Sequence, residues 1–224
     1  MKIGIISDIH GNCDALEVIL HEFEENNVEK IICLGDMIGY FHQSIEVLDR
    51  LMEIDISAIC GNHEAYLLGT LSYPPERACI YNLEYVQNSI SPKVLHWLAS
   101  LPTKLNLTLD GKKFLFFHGS PWDPLQEYVY PDYQYFKNFL MINSDYFFLG
   151  HTHYPFYKKI EAKNIVNPGS VGLPRNGDNR AQAAIFDTRS GIEFVQEEYD
   201  IRMFLDSAKK KGVNSVTIQR LKRQ

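Results

Sequence analysis

Three short apolar runs, Ile3–Ile6, Ile31–Leu34 and Ser57–Cys60, stand 28 and 26 residues apart, and this interval constrains the fold more than any other feature of the chain. Between them, Ala15-Leu16-x-Val18-Ile19-Leu20 and Ile45-x-Val47-Leu48-x-x-Leu51-Met52 space apolar residues three and four apart, the period of amphipathic helices. Parallel strands in one sheet need a crossover of a dozen residues or more, usually a helix. The N-terminal part therefore reads as βαβ units.

The pattern then changes. Residues from Pro75 to Ser100 read as helical, with Ser91-Pro92 as a start signal because proline is tolerated at the first helical position. Leu105-x-Leu107-x-Leu109, Asp110-Gly111 and Lys113–Phe117 predict an antiparallel hairpin, since Asp-Gly supplies the positive φ angles of a type I′ turn. Tyr146–Leu149, Phe156–Ile160, Ile165–Val166, Ala183–Phe186 and Ile192–Gln196 continue as strands, and a last helix is expected near Ile201–Lys211. The expected class is α/β (α+β): an α/β half, then a more antiparallel half, with two sheets packed face to face and helices outside. A single mixed sheet is the alternative that pattern alone does not separate. No repeat or linker divides the 224 residues, and 1–224 is read as a single domain.

Composition closes off other classes. With 45% hydrophobic and 22% charged residues the chain is not disordered. Its longest apolar runs, such as Phe114–Phe117, fall far short of the roughly 20 residues that span a bilayer. The start turns polar at Ser7-Asp8, too soon for a signal peptide, so a cytoplasmic protein is expected. Cys13, Cys33, Cys60 and Cys79 form neither a C-x-x-C pair nor a disulfide framework, and read as reduced, mostly packing thiols. A formal charge of −6 argues against long nucleic acid as a partner, so an anionic substrate needs a local cationic site. The basic tail, Lys209–Lys211 and Arg220–Arg223, reads as a solvated helix end or terminus.

Five apolar runs end in metal-capable residues: Asp8-Ile9-His10-Gly11-Asn12, Gly35-Asp36, Gly61-Asn62-His63-Glu64, His118-Gly119-Ser120 and Gly150-His151-Thr152-His153. In open α/β sheets the carboxyl ends of the strands form the ligand-binding crevice, so these blocks converge. Asp8-x-His10 and His151-x-His153 are expected to project both side chains to one side of an extended segment, each pair gripping one ion or splitting between two. Imidazole, carboxylate and amide oxygen suit divalent Mn, Fe, Ni or Zn. Seven ligands exceed the four of tetrahedral zinc and suit two ions.

The blocks D-x-H, G-D, G-N-H, H and G-H-x-H, in this order, resemble the signature of the calcineurin-like metallophosphoesterases. The resemblance spans residues 3 to about 180, and His118-Gly119-Ser120-Pro121 with Asn167-Pro168-Gly169-Ser170-Val171-Gly172 is similar to the small bacterial and archaeal phosphodiesterase branch. It implies a four-layer α/β-β/α sandwich. It implies one metal on Asp8, His10 and His153, a second on Asn62, His118 and His151, and Asp36 bridging both, with manganese the leading candidate. His63 would be catalytic, contacting the phosphoryl oxygen or leaving group. The implied activity is hydrolysis of a small phosphodiester or phosphomonoester, such as a nucleotide-derived one, by in-line attack of a metal-bridging hydroxide. A non-catalytic interaction scaffold is the alternative; the retromer's small subunit, which resembles this branch, lacks the histidine that corresponds to His63. Protein phosphatases of the superfamily carry, three residues after their G-D, an aspartate that orients the catalytic histidine. Here that position is Gly39, which argues against phosphoprotein substrates, and Glu64 would replace the missing carboxylate only in part.

Other residues leave two readings open. Asn12 either donates to a phosphate oxygen or caps the next helix. Arg175 and Arg180 either contact substrate, as guanidinium forks do, or form surface salt bridges. The aromatic stretch Trp122–Phe136 either packs onto the sheet or offers rings on which a nucleobase stacks. Ser170 lacks the first glycine of a nucleophile elbow, so no covalent serine step is expected.

Overall fold

The computed structural model describes residues 1–222. β1 (Lys2–Ile6), β2 (Lys30–Cys33) and β3 (Ile56–Ala58) pair in parallel, joined by α1 (Cys13–Glu25) and α2 (Ser44–Glu53), as the spacing predicts. The loop after β3 leads into α3 (Asn62–Leu67), a helix too short to show periodicity. The predicted helical stretch is broken into a 3-10 turn at Pro75–Arg77, α4 (Ala78–Tyr81), α5 (Leu83–Ser89) and α6 (Pro92–Ser100). Asn82 makes the break between α4 and α5 by adopting a left-handed φ of 56°, and Ser91 caps α6 by accepting from Val94 N.

β4 (Lys104–Leu109) and β5 (Lys112–Phe117) form the predicted hairpin, with Asp110 and Gly111 at φ 50° and 75°. β6 (Tyr146–Phe148), β7 (Phe156–Ile160) and β8 (Lys163–Asn167) complete that sheet in the order β4-β5-β6-β8-β7. The expected antiparallel character fails at its centre, where β5, β6 and β8 run parallel. The long connection from β5 to β6 supplies the crossover that parallel pairing needs.

β9 (Ala181–Asp187) and β10 (Gly191–Glu197) do not join the sheet that precedes them. They return to β1, giving a first sheet of order β10-β9-β1-β2-β3. The two mixed five-stranded sheets pack face to face through Ile3, Ile5, Ile32 and Leu34 on one side and Phe114, Phe116, Phe148 and Val166 on the other. Each such buried side chain contributes roughly 1.5–3 kcal/mol of transfer free energy. α1, α2, α5 and α6 cover the far side of the first sheet. On the second sheet a 3-10 helix at Phe136–Met141 and the aromatic loop before it make up the fourth layer.

α7 (Ile201–Lys210) matches the expected last helix, and α8 (Ser215–Lys222) is an addition to it. Lys209, Lys210, Arg220 and Lys222 occupy last helical turns, where cations meet the negative end of the helix dipole. Lys211 follows as the C-cap of α7, and Arg223 lies outside the described residues. Among the described residues no helix is long and apolar enough to cross a membrane, and the four cysteines are free, with Cys79 exposed rather than packed.

Candidate functional site

All five predicted blocks meet beyond the carboxyl ends of β1, β2, β3, β5 and β6. The chain turns there by unusual backbone geometry. Ten non-glycine residues among those described have positive φ, and six of them, Asp8, His10, Asp36, Tyr40, His151 and His153, stand at this site with φ between 53° and 66°. Such conformations concentrate where the surrounding structure imposes them. The convergence of Asp8 with His10 thus comes from left-handed corners, not from the extended segment expected.

Asp8, His10 and His153 form one group. Asp8 Oδ2 is anchored, accepting from Ser7 Oγ at 2.7 Å and His151 N at 3.0 Å. Its buried Oδ1 has no hydrogen-bond partner among the described residues and faces His153 Nε2 at 3.3 Å and His10 Nε2 at 3.7 Å. The two imidazoles donate their Nδ1–H outward, His10 to Ile38 O at 3.2 Å and His153 to Leu173 O at 2.5 Å. Those bonds assign the tautomer and leave the Nε2 lone pairs facing each other across 3.1 Å. Two lone pairs and a bare carboxylate oxygen at that separation repel unless a cation lies among them.

Asn62, His118 and His151 form the other. His118 donates from Nδ1 to Leu34 O at 2.8 Å, and its Nε2 meets Asn62 Oδ1 at 2.9 Å and His151 Nδ1 at 3.0 Å. Asp36 stands between the groups: Oδ2 lies 3.4 Å from His118 Nε2 and 3.7 Å from His10 Nε2, while Oδ1 accepts from His63 N at 2.8 Å. The pair in His151-x-His153 is split between the two groups. Three clusters of ligand atoms close enough to hold an ion follow: Asp8 with His10 and His153, Asp36 with His118 and His151, and His10 with Asp36 and His63.

The electrostatics fit a cation. Burial pushes the Asp8 carboxyl up to about 7. Burial drives His10 and His153 well below the usual imidazole range and His151 to about 3, so all three are neutral and offer lone pairs. Against its own burial, His118 is raised to about 9 by Asp36, and Asp36, against its burial, is held well below the carboxylate range by His118 and His63. A buried carboxylate that gathers protons to this degree also favours a metal ion in their place.

His63 sits beside the groups, fully buried, and its burial lowers it to about 4. A Cβ on Gly39 would meet His63 Nδ1 at 2.3 Å, so backbone occupies the place of the missing aspartate. Glu64 does not substitute for it. Its carboxylate accepts from the backbone N–H groups of Asp36 and Met37 at 2.8 Å and of Gly61 at 2.8 Å, tying the loop after β2 to the start of α3.

The three residues read as candidate substrate contacts separate. Arg175 lines the cleft over the groups, with Nη2 3.5 Å from Tyr40 Oη. Arg180 lies outside it, paired with Asp178 and Gln196, because the turn at 176–179 directs its side chain back onto its own loop and β10. Asn12 takes the capping role: Oδ1 accepts from Ala15 N, and Nδ2 donates to Gly172 O and Tyr199 Oη, which uses both amide hydrogens. Ser170 Oγ is likewise engaged, donating to Asp8 O.

The aromatic stretch divides between its two readings. Val129 and Phe136 pack onto the second sheet, whereas Tyr128, 46% exposed, stacks on His151 with centroids 3.9 Å apart and lines the cleft. Tyr40, Tyr66 and Tyr81 also line it, and sequence reading missed them. Only Tyr40 carried a signal, its place four residues after Asp36.

Residues 1–191 match the model of the calcineurin-like phosphoesterase superfamily domain. An uncharacterized protein of Methanocaldococcus jannaschii is 35% identical over 89% of this chain and 88% of its own. Phosphodiesterase YfcE of Escherichia coli is 23% identical over 80% of this chain and 83% of its own. A crystal structure of a metallophosphoesterase from Sphaerobacter thermophilus, 29% identical, superposes with a TM-score of 0.85 over 100% of this chain and 98% of that one. With aspartate and histidine side chains clustered so that they could hold metal on that fold, the chain belongs to the calcineurin-like phosphoesterase superfamily and is a phosphoric ester hydrolase.

Proposed function

We propose that the chain is a dinuclear-metal phosphoesterase for small phosphodiesters or phosphomonoesters, nucleotide-derived ones included. The observation that carries this reading is the position of Asp36 Oδ2, within reach of both ligand groups. Asp8, His10 and His153 would hold one divalent ion, Asn62, His118 and His151 the other, and Asp36 both. Mn is the leading candidate, with Fe, Ni and Zn also compatible with these donors. The ions supply neutralisation of the phosphoryl oxygens and a more acidic water at neutral pH.

The chain's own residues do the rest. Two dications outweigh the two carboxylates, and Arg175 adds a guanidinium whose fork matches phosphate oxygens, so an acidic protein acquires an anion-binding cleft. His63 donates to the phosphoryl oxygen or the leaving group. The cleft is small, about 30 Å³ on the scale where a single water needs about 10–15 Å³, which supports a small ester over a polymer. The exposed ring of Tyr128 offers a face for an aromatic substituent.

The test is metal content and turnover together, with chromogenic aryl phosphodiester and monoester substrates. Protein loaded with Mn should hold two ions per chain and hydrolyse the diester. His63→Ala should lower kcat by on the order of 10²–10⁴ and keep both ions. Full activity at one ion per chain would end the dinuclear reading. Loss of metal from His63→Ala would overturn the ligand assignment, and unchanged turnover would remove His63 from the reaction.

A further inference from the structure

His63 is held without a hydrogen bond to its ring: among the described residues its buried Nδ1 has no partner. Aromatic rings surround it instead, Tyr81 at 4.6 Å, His10 at 4.7 Å, Tyr40 at 4.9 Å and Tyr66 at 5.8 Å between centroids. Packing alone must therefore set where the imidazole points.

Two of those rings are themselves held by the C-terminal helices. Tyr40 shares a buried apolar cluster with Phe204 of α7 and Ile218 and Leu221 of α8, and Tyr81 packs against it. Thr217 Oγ1 donates to Ile80 O at 3.4 Å, tying α8 to the residue before Tyr81. The Arg220 guanidinium lies over the Tyr40 ring, 5.9 Å from its centroid. His42, on the Tyr40 loop, contacts Ser207 Oγ of α7 at 2.9 Å. Both helices follow the segment, residues 1–191, that the superfamily shares.

We propose that α8, through Arg220, positions His63: the helix holds Tyr40 and Tyr81, and those rings hold the imidazole in the place of the absent carboxylate. This rests on the reading of His63 as the donor to the phosphoryl group or leaving group. Arg220 does not line the cleft, so it acts on the reaction through Tyr40 alone. A cation over a tyrosine face is a modest interaction, but small misplacements of a reacting group are costly in rate.

The experiment is a double-mutant cycle between Arg220 and His63 on the full-length, Mn-loaded protein, with an aryl phosphodiester as substrate. Arg220→Ala should lower kcat about three- to tenfold with KM, metal content and melting temperature close to wild type. Arg220→Lys, which keeps the cation, should recover part of the loss. In a His63→Ala background, Arg220→Ala should cost nothing further. Tyr81→Leu should repeat the pattern from the other ring. Equal proportional losses in both backgrounds would overturn the proposal, as would wild-type kcat in Arg220→Ala; if Arg220→Ala fails to fold, wild-type kcat in Tyr81→Leu would overturn it. Wild-type turnover in His63→Ala alone would overturn the reading beneath it, and that single variant reports it independently of the Arg220 arms.

Discussion

The two candidate ligand groups hold similar atoms in unlike settings. Asp8, His10 and His153 lie deeper, each no more than 1% exposed, and include a carboxylate of their own. Asn62, His118 and His151 have an amide in its place, and His151, 6% exposed, lies under the ring of Tyr128 at the cleft. The first group carries its own negative charge and meets the cleft only through His10 and His153. The second depends on the shared Asp36 for charge and stands next to the opening. An ion in the first should be tight and slow to exchange, and an ion in the second weaker and faster.

Asp36→Ala removes what the groups share. It should release both ions and lower kcat/KM by on the order of 10³ or more, since each ion supplies several kcal/mol of transition-state stabilisation; metal analysis beside turnover checks this, and retention of one ion would mean that Asp36 serves a single group. Asp8→Asn removes the charge difference. The first group should then lose its ion at least as readily as the second when chelator is titrated in.

Arg175→Ala should lower kcat/KM about ten- to hundredfold with metal content unchanged, the size expected for a hydrogen bond to a charged group. In wild-type protein, a weak chelator should leave one ion per chain, located by anomalous scattering among Asp8, His10 and His153. An ion remaining at Asn62 instead would reverse the comparison. Tyr128→Ala uncovers His151 and should weaken the second ion by no more than about tenfold, in keeping with the value of a ring contact. Arg180→Ala should leave kcat/KM unchanged, since that side chain turns away from the cleft.

Much of this was legible in the chain because it is local. The three parallel strands, the Asp110-Gly111 hairpin and the five ligand blocks each announce themselves within a few residues. The pairing of β9 with β1 did not, because nothing near residue 185 records a partner near residue 4. The tyrosine cage was invisible for the same reason: Tyr40, Tyr66 and Tyr81 come from a loop, α3 and α4, with no common spacing. α8 was obscured by its basic end, which reads as a solvated tail although Thr217, Ile218 and Leu221 are buried beneath it. Asn12 and Arg180 show the converse limit. Residue type admits a phosphate contact at both, and only the positions of Tyr199 and Asp178 decide otherwise.

The left-handed corners restrict what this enzyme can become. Aspartate, asparagine and histidine are the non-glycine residues that enter that region with least strain, and they are also the hard and borderline donors that divalent ions accept. Exchanging His10 or His153 for cysteine, or Asp8 for glutamate, would add backbone strain of roughly 1–2 kcal/mol to any change in coordination. Drift toward a soft-metal or long-carboxylate centre by single replacements is therefore opposed by the backbone itself, and a change of metal comes more cheaply from residues around these candidate ligands.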